Sequence, residues 1–60
     1  MRNRIAADRE YVKGRITEWR FFEHVLKRLG LDEDRVWCAR RRTQWEDLLE
    51  CLDEMERVAA

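Results

Sequence analysis

A chain of 60 residues that is 45% hydrophobic and 43% charged, with no proline and only two glycines, suits long amphipathic helices and leaves almost no turn material for strands. Thirteen basic and thirteen acidic side chains cancel, and no apolar run approaches the ~18 residues of a membrane span. The N-terminus MRNRIAADRE also lacks the apolar stretch of a secretory signal, so a cytoplasmic setting is expected. A domain this small buries only ~60% of the surface its unfolded chain exposes, which points to help from a partner.

The first predicted element is a helix over about residues 4–29. At 100° per residue it gathers Ile5, Val12, Ile16, Trp19, Phe22, Leu26 and Leu29 on one face, with Tyr11 and Val25 at the margin. Asp8 and Arg15 intrude on that face. A basic stripe of Arg2, Arg9, Lys13, Arg20 and Lys27 runs beside it with Thr17 and His24. Phe21 points away from the core stripe toward Ala7, Gly14 and Val25, a second candidate contact strip.

The turn is expected at residues 30–32. Gly30 suits the left-handed position after a helix end, Leu31 would fold back on Leu26 as in a Schellman motif, and Asp32 would cap the second helix. So short a connection makes the two helices antiparallel neighbours.

The second helix is expected over about residues 33–58, with Trp37, Cys38, Trp45, Leu48, Leu49, Leu52, Met55 and Ala59 on its apolar face. Consecutive helical residues splay by 100°, so Arg40, Arg41 and Arg42 fan out and form no single patch for a polyanion. The wheel aims Arg41 into the middle of the stripe, where an ion pair with Glu18 or Glu23 is expected. Glu46, Asp47, Glu50, Asp53 and Glu54 make an acidic outer face. Residues 1–29 carry eight basic and four acidic side chains and residues 30–60 five and nine, so the chain is a charge dipole of +4 against −4.

Both apolar stripes span nearly half a helix circumference, more than one hairpin partner can cover. The expected fold is an all-α, antiparallel two-helix hairpin that dimerises into a four-helix bundle, with Trp19, Phe22, Trp37, Arg41, Trp45, Leu48 and Leu52 in the dimer core. With second helices paired antiparallel in such a dimer, Cys38 would face Cys51 of the other copy. The chemistry of sites is thin. His24 has no second ligand at metal-binding spacing, neither cysteine sits beside an activating base, and there is no glycine-rich phosphate loop. No catalytic, cofactor or metal residues are expected, and the chain is read as a non-enzyme.

The spacing Ile5, Val12, Trp19, Phe22, Leu26 and then Cys38, Arg41, Trp45, Leu48, Leu52, Met55, joined by a short Asp-containing turn, resembles the Rop family of RNA-binding helical-hairpin dimers. The resemblance covers most of the chain and is architectural. It implies an RNA face on the first helices of the two subunits, where this chain has its basic stripe. Two functions therefore stand as expectations. One is a small dimeric regulator or adaptor that binds another protein; the alternative is an RNA-binding regulator. The candidate contact residues are Arg9, Lys13, Arg20, Phe21 and Lys27.

Overall fold

The computed structural model describes residues 2–59, with side chains from residue 4 onward. Two 28-residue helices, α1 (Arg2–Leu29) and α2 (Asp32–Ala59), form an antiparallel hairpin with Cα extents of 45 × 14 × 10 Å. Lys27 and Arg28 fall in the last turn of α1, and Asp32, Glu33 and Asp34 in the first turn of α2, each set opposing the dipole end it occupies.

Gly30 ends α1 with φ +73°. Its N–H donates to the Lys27 carbonyl at 3.2 Å and the Leu31 N–H donates to the Leu26 carbonyl at 3.0 Å, the paired bonds of a Schellman motif. The entry to α2 differs from expectation. The Arg35 N–H donates to the Leu31 carbonyl at 3.0 Å, so Leu31 occupies the capping position and Asp32 is already the first helical residue. The Asp32 carboxylate instead lies 3.7 Å from Arg35 Nε. The turn is thus two residues, Gly30 and Leu31.

The helices meet along a seam with alternating steps of three and four residues. On α1 it runs through Ile5, Arg9, Val12, Ile16, Trp19, Glu23 and Leu26, and on α2 through Arg35, Cys38, Arg42, Trp45, Leu49 and Leu52, all buried or half-buried. Val12, Ile16 and Leu52 form the central cluster, with Trp45 and Leu49 packed against it. Cys38 is buried nearer the turn.

This seam is rotated from the stripe expected on α2. Arg41 is exposed, and Arg42 takes the inward position. Trp37 (53% exposed), Leu48 and Phe22 (46% exposed) lie open on one side, whereas Trp19 and Trp45 are half-buried and Leu52 is fully in the hairpin core. On α1 the seam position expected to be solvent-facing is Arg9, while Asp8 is exposed and Arg15 is half-buried at the flank. A neighbouring residue on a helix differs by 100°, so a one-residue phase change is enough to exchange these roles.

Candidate interaction surface

The seam divides the remaining surface into two flanks of opposite character. In the seam and along one flank, charges from both helices are tied together. Arg9 Nη1 donates to Glu56 Oε2 at 2.6 Å, and Arg9 Nε lies 2.7 Å from Asp53 Oδ1 as an ion contact that is out of line for a hydrogen bond. Arg20 Nη2 donates to Glu46 Oε2 at 3.3 Å. Arg42 donates twice to Glu23, from Nε at 2.5 Å and Nη2 at 3.3 Å, and once to Glu46 from Nη1 at 2.8 Å. The hydrogen bond to Glu23, first, holds the Arg42 guanidinium above its ordinary pKa against the opposing effect of burial.

The expected basic stripe is therefore largely paired inside the molecule. Arg9 faces Asp53 and Glu56, Arg20 faces Glu46, and Lys13 reaches Glu10 at 3.5 Å. Of the four stripe residues whose side chains are described, Lys27 alone has no acidic partner within 4 Å among the described residues; the side chain of Arg2 lies outside them. The acidic face of α2 is split the same way. Glu46 and Asp53 turn to α1, while Asp47, Glu50 and Glu54 stay exposed.

The other flank is aromatic. Trp19 meets Phe22 and Trp37 edge-on, with ring centroids 5.8 and 5.6 Å apart, and Tyr11 meets Trp45 at 6.1 Å. Arg41, released from the seam, lies over the Trp37 ring with its guanidinium carbon 5.0 Å from the centroid, a cation–π contact in place of the expected ion pair. Arg15 spans Tyr11 and Glu18, donating to the tyrosine hydroxyl at 3.2 Å and to the carboxylate at 2.9 Å. Those two bonds, Tyr11 first, raise its pKa. Around this polar centre lie the exposed side chains of Phe22 and Leu29 on α1 and of Trp37, Leu48, Met55 and Val58 on α2.

Exposed apolar side chains reach both ends of that flank. Near the turn, Phe22, Leu29 and Trp37 project into solvent. At the open end a groove of about 480 Å³ is lined by Cys51, Glu54, Met55, Val58 and Ala59 of α2 and by Ile5 of α1.

The expected contact strip around Phe21 is not one surface. Phe21 is exposed and tilted against Phe22, 6.1 Å between centroids, and Val25 is half-buried on the aromatic flank. Gly14 sits in the open, with no atom near where a Cβ would stand. The cysteines are also unlike each other. Cys51 is exposed at the groove, and Cys38 is 5% exposed inside the seam, so its thiol does not reach an outer face to meet a Cys51. Burial, and then the charges of Glu23 and Asp34, push the Cys38 thiol pKa up and keep it protonated.

Sequence reasoning missed the Arg9 and Arg42 layers, although their signal was present. Steps of seven through 9, 16 and 23 on α1, and through 35, 42, 49 and 56 on α2, place Arg9 opposite Glu56 and Glu23 opposite Arg42 in an antiparallel pair. Among the described residues, no cluster of His, Cys, Asp and Glu has the arrangement of a metal site, and neither helix is long and apolar enough to cross a membrane. No family model, curated protein or solved structure matches the chain, so the likeness to Rop-type proteins rests on the two-helix hairpin alone.

Proposed function

We propose that this chain is a non-enzymatic helical-hairpin protein that pairs with a second copy of itself through the aromatic flank and acts as a small regulator or adaptor by binding another protein. The observation that carries the reading is the contrast between the flanks. Charges from both helices are matched in the seam and along one side of it, and the large apolar side chains Phe22, Leu29, Trp37, Leu48 and Met55 are left open together on the other.

Contiguous apolar patches of this extent on small proteins mark contact surfaces. A second copy is the occupant that fits. The 45 × 14 Å side of the hairpin has a footprint of about 600 Å² by its Cα extents, close to the ~800 Å² that each partner contributes to a standard interface once side chains are added. The patch also carries both signs of charge at its centre, in Arg15, Arg41 and Glu18, so it is not self-repelling.

The RNA-binding alternative draws on Arg9, Lys13, Arg20 and Lys27, three of which already face carboxylates. Counterion release scales with unneutralised cations, so the protein-binding reading is favoured. Phe21, exposed and outside the seam, is the proposed contact for the protein target.

Light scattering on the eluting protein tests the first half of the proposal. A mass of twice 7.4 kDa is expected at micromolar concentration, and a folded 7.4 kDa species would remove it. For the second half, Phe21→Ala is expected to keep that mass and lose the captured protein. Capture by the variant equal to wild type, or a steep salt-dependent shift with structured RNA, would reject the protein-adaptor reading.

A further inference from the structure

The matching of charge along the charged flank stops short of the turn. Arg9 meets Asp53 and Glu56 there, and Arg20 meets Glu46. One heptad nearer the turn, the register that pairs Arg20 with Glu46 sets Lys27 of α1 opposite Ala39 of α2, which offers no carboxylate. His24 and Arg28 on α1 and Arg40 on α2 are exposed like Lys27, and none of the four has an acidic partner within 4 Å among the described residues. The acids that open α2 do not fill this gap, and Asp32 lies toward Arg35 instead, at 3.7 Å.

The ground between these cations is low and apolar. Ala39 is half-buried, Val36 is exposed, and the Thr43 hydroxyl donates back to the Ala39 carbonyl at 3.0 Å. On the outer side of α1, exposed Phe21 precedes His24 by one helical turn and Arg28 by two.

We propose that the turn end of the charged flank is the docking site for an acidic peptide segment of the protein target, whose carboxylates pair with Lys27, Arg28 and Arg40 and whose apolar side chains rest on Phe21 and Val36. The proposal rests on the adaptor reading above and gives its partner a chemistry. Charge complementarity carries it: elsewhere along this flank α2 supplies the acids, and at the turn end an incoming chain must. Apolar contacts beside charged ones at a rim are the make-up of a protein interface, whereas a phosphate backbone would use neither Phe21 nor Val36. The surface lies across the seam from the aromatic flank, so pairing with a second copy leaves it open.

The test is a backbone amide NMR titration of the full chain with a synthetic twelve-residue peptide of glutamates carrying leucine at every fourth position. Amide shifts are expected to gather in residues 21–28 and 36–40. Replacing the glutamates by lysines should abolish them. Lys27→Gln with Arg28→Gln is expected to weaken binding about tenfold or more, and Arg4→Gln, which removes an exposed cation at the open end, to leave it unchanged. Circular dichroism verifies that both variants keep their helices. No shifts at millimolar acidic peptide, shifts centred on other residues, or equal binding by the double variant would overturn the proposal, as would tighter binding of heptauridylate at the same residues. If Phe21-dependent capture of a protein survives while the acidic peptide fails, only this assignment falls. Peptide binding as expected without any Phe21-dependent capture would sink the adaptor reading alone.

Discussion

Arg42 grips Glu23 from across the hairpin with two prongs, Nε to Oε2 at 2.5 Å and Nη2 to Oε1 at 3.3 Å, and its third arm reaches Glu46. The side chains of the pair are only 26% and 18% exposed, the most sheltered ion pair among the described residues. A shielded, forked pair opposed by partial desolvation is a determinant of register more than a large source of stability. It penalises any sliding of one helix past the other that would leave either charge facing Trp19 or Trp45.

Removing one member is therefore predicted to cost more than removing both. Glu23→Ala or Arg42→Ala alone is expected to destabilise by about 1–3 kcal/mol, whereas Glu23→Leu with Arg42→Leu comes out near neutral or more stable. Arg57→Ala, which breaks an exposed contact to Glu54 one turn away, is expected to cost under ~0.5 kcal/mol. Urea titrations of the four variants read these differences, and equal costs for the single and double changes would contradict the account.

Leu52 and Leu48 separate the hairpin core from the open flank. Leu52→Ala opens a cavity beside Val12 and Ile16 and is expected to cost about 2–4 kcal/mol at any protein concentration. Leu48→Ala is predicted to cost little in dilute solution, where Leu48 is solvated, and to lower the melting temperature progressively more as concentration rises and wild type becomes dimeric. Melting curves over a hundredfold range of concentration distinguish the two. A cost for Leu48→Ala that does not change with concentration would speak against pairing through this flank.

Gly30 is held at φ +73°, and no atom would touch a Cβ added there. The cost of Gly30→Ala is hence purely conformational, about 1–2 kcal/mol for a left-handed non-glycine residue. Gly14→Ala, in open space at an ordinary helical position, is expected to stabilise by up to ~1 kcal/mol. Thermal melts that place both variants on the same side of wild type would refute the assignment of roles.

Thiol reactivity should resolve the two cysteines. Cys51 is exposed and is expected to react readily with an alkylating reagent at pH 8, while Cys38, buried and held protonated by its burial beside Glu23 and Asp34, reacts only as the hairpin opens. Mass spectrometry should show one rapid and one slow modification. If the Cys51 reaction also slows as protein concentration rises, the groove is being covered by a second copy.

Much of the architecture was legible in the residues because it is set locally. Two long runs of helix formers separated by Gly30 and Leu31 specify two helices and their antiparallel course, since a left-handed glycine and its backbone bonds depend on the residues immediately around it. Placement of the second helix's first residue was off by one, because the carbonyl of Leu31 took the capping role that the side chain of Asp32 was expected to fill.

The rotation of α2 about its own axis was another matter. Its sequence carries two overlapping stripes, one through Trp37, Arg41, Leu48 and Met55 and one through Cys38, Arg42, Leu49 and Leu52, with Trp45 common to both neighbourhoods. Periodicity within one helix weighs them nearly equally. What chose between them was the facing helix, where Glu23 and Arg9 occupy the seam and satisfy charge across it, so that Arg42 belongs inside and Arg41 is free to lie on Trp37. Local sequence determined that there are two helices and where they turn; only packing in three dimensions decided which side of each is hidden, because a charged residue becomes a seam residue only when its counter-charge arrives from the other helix.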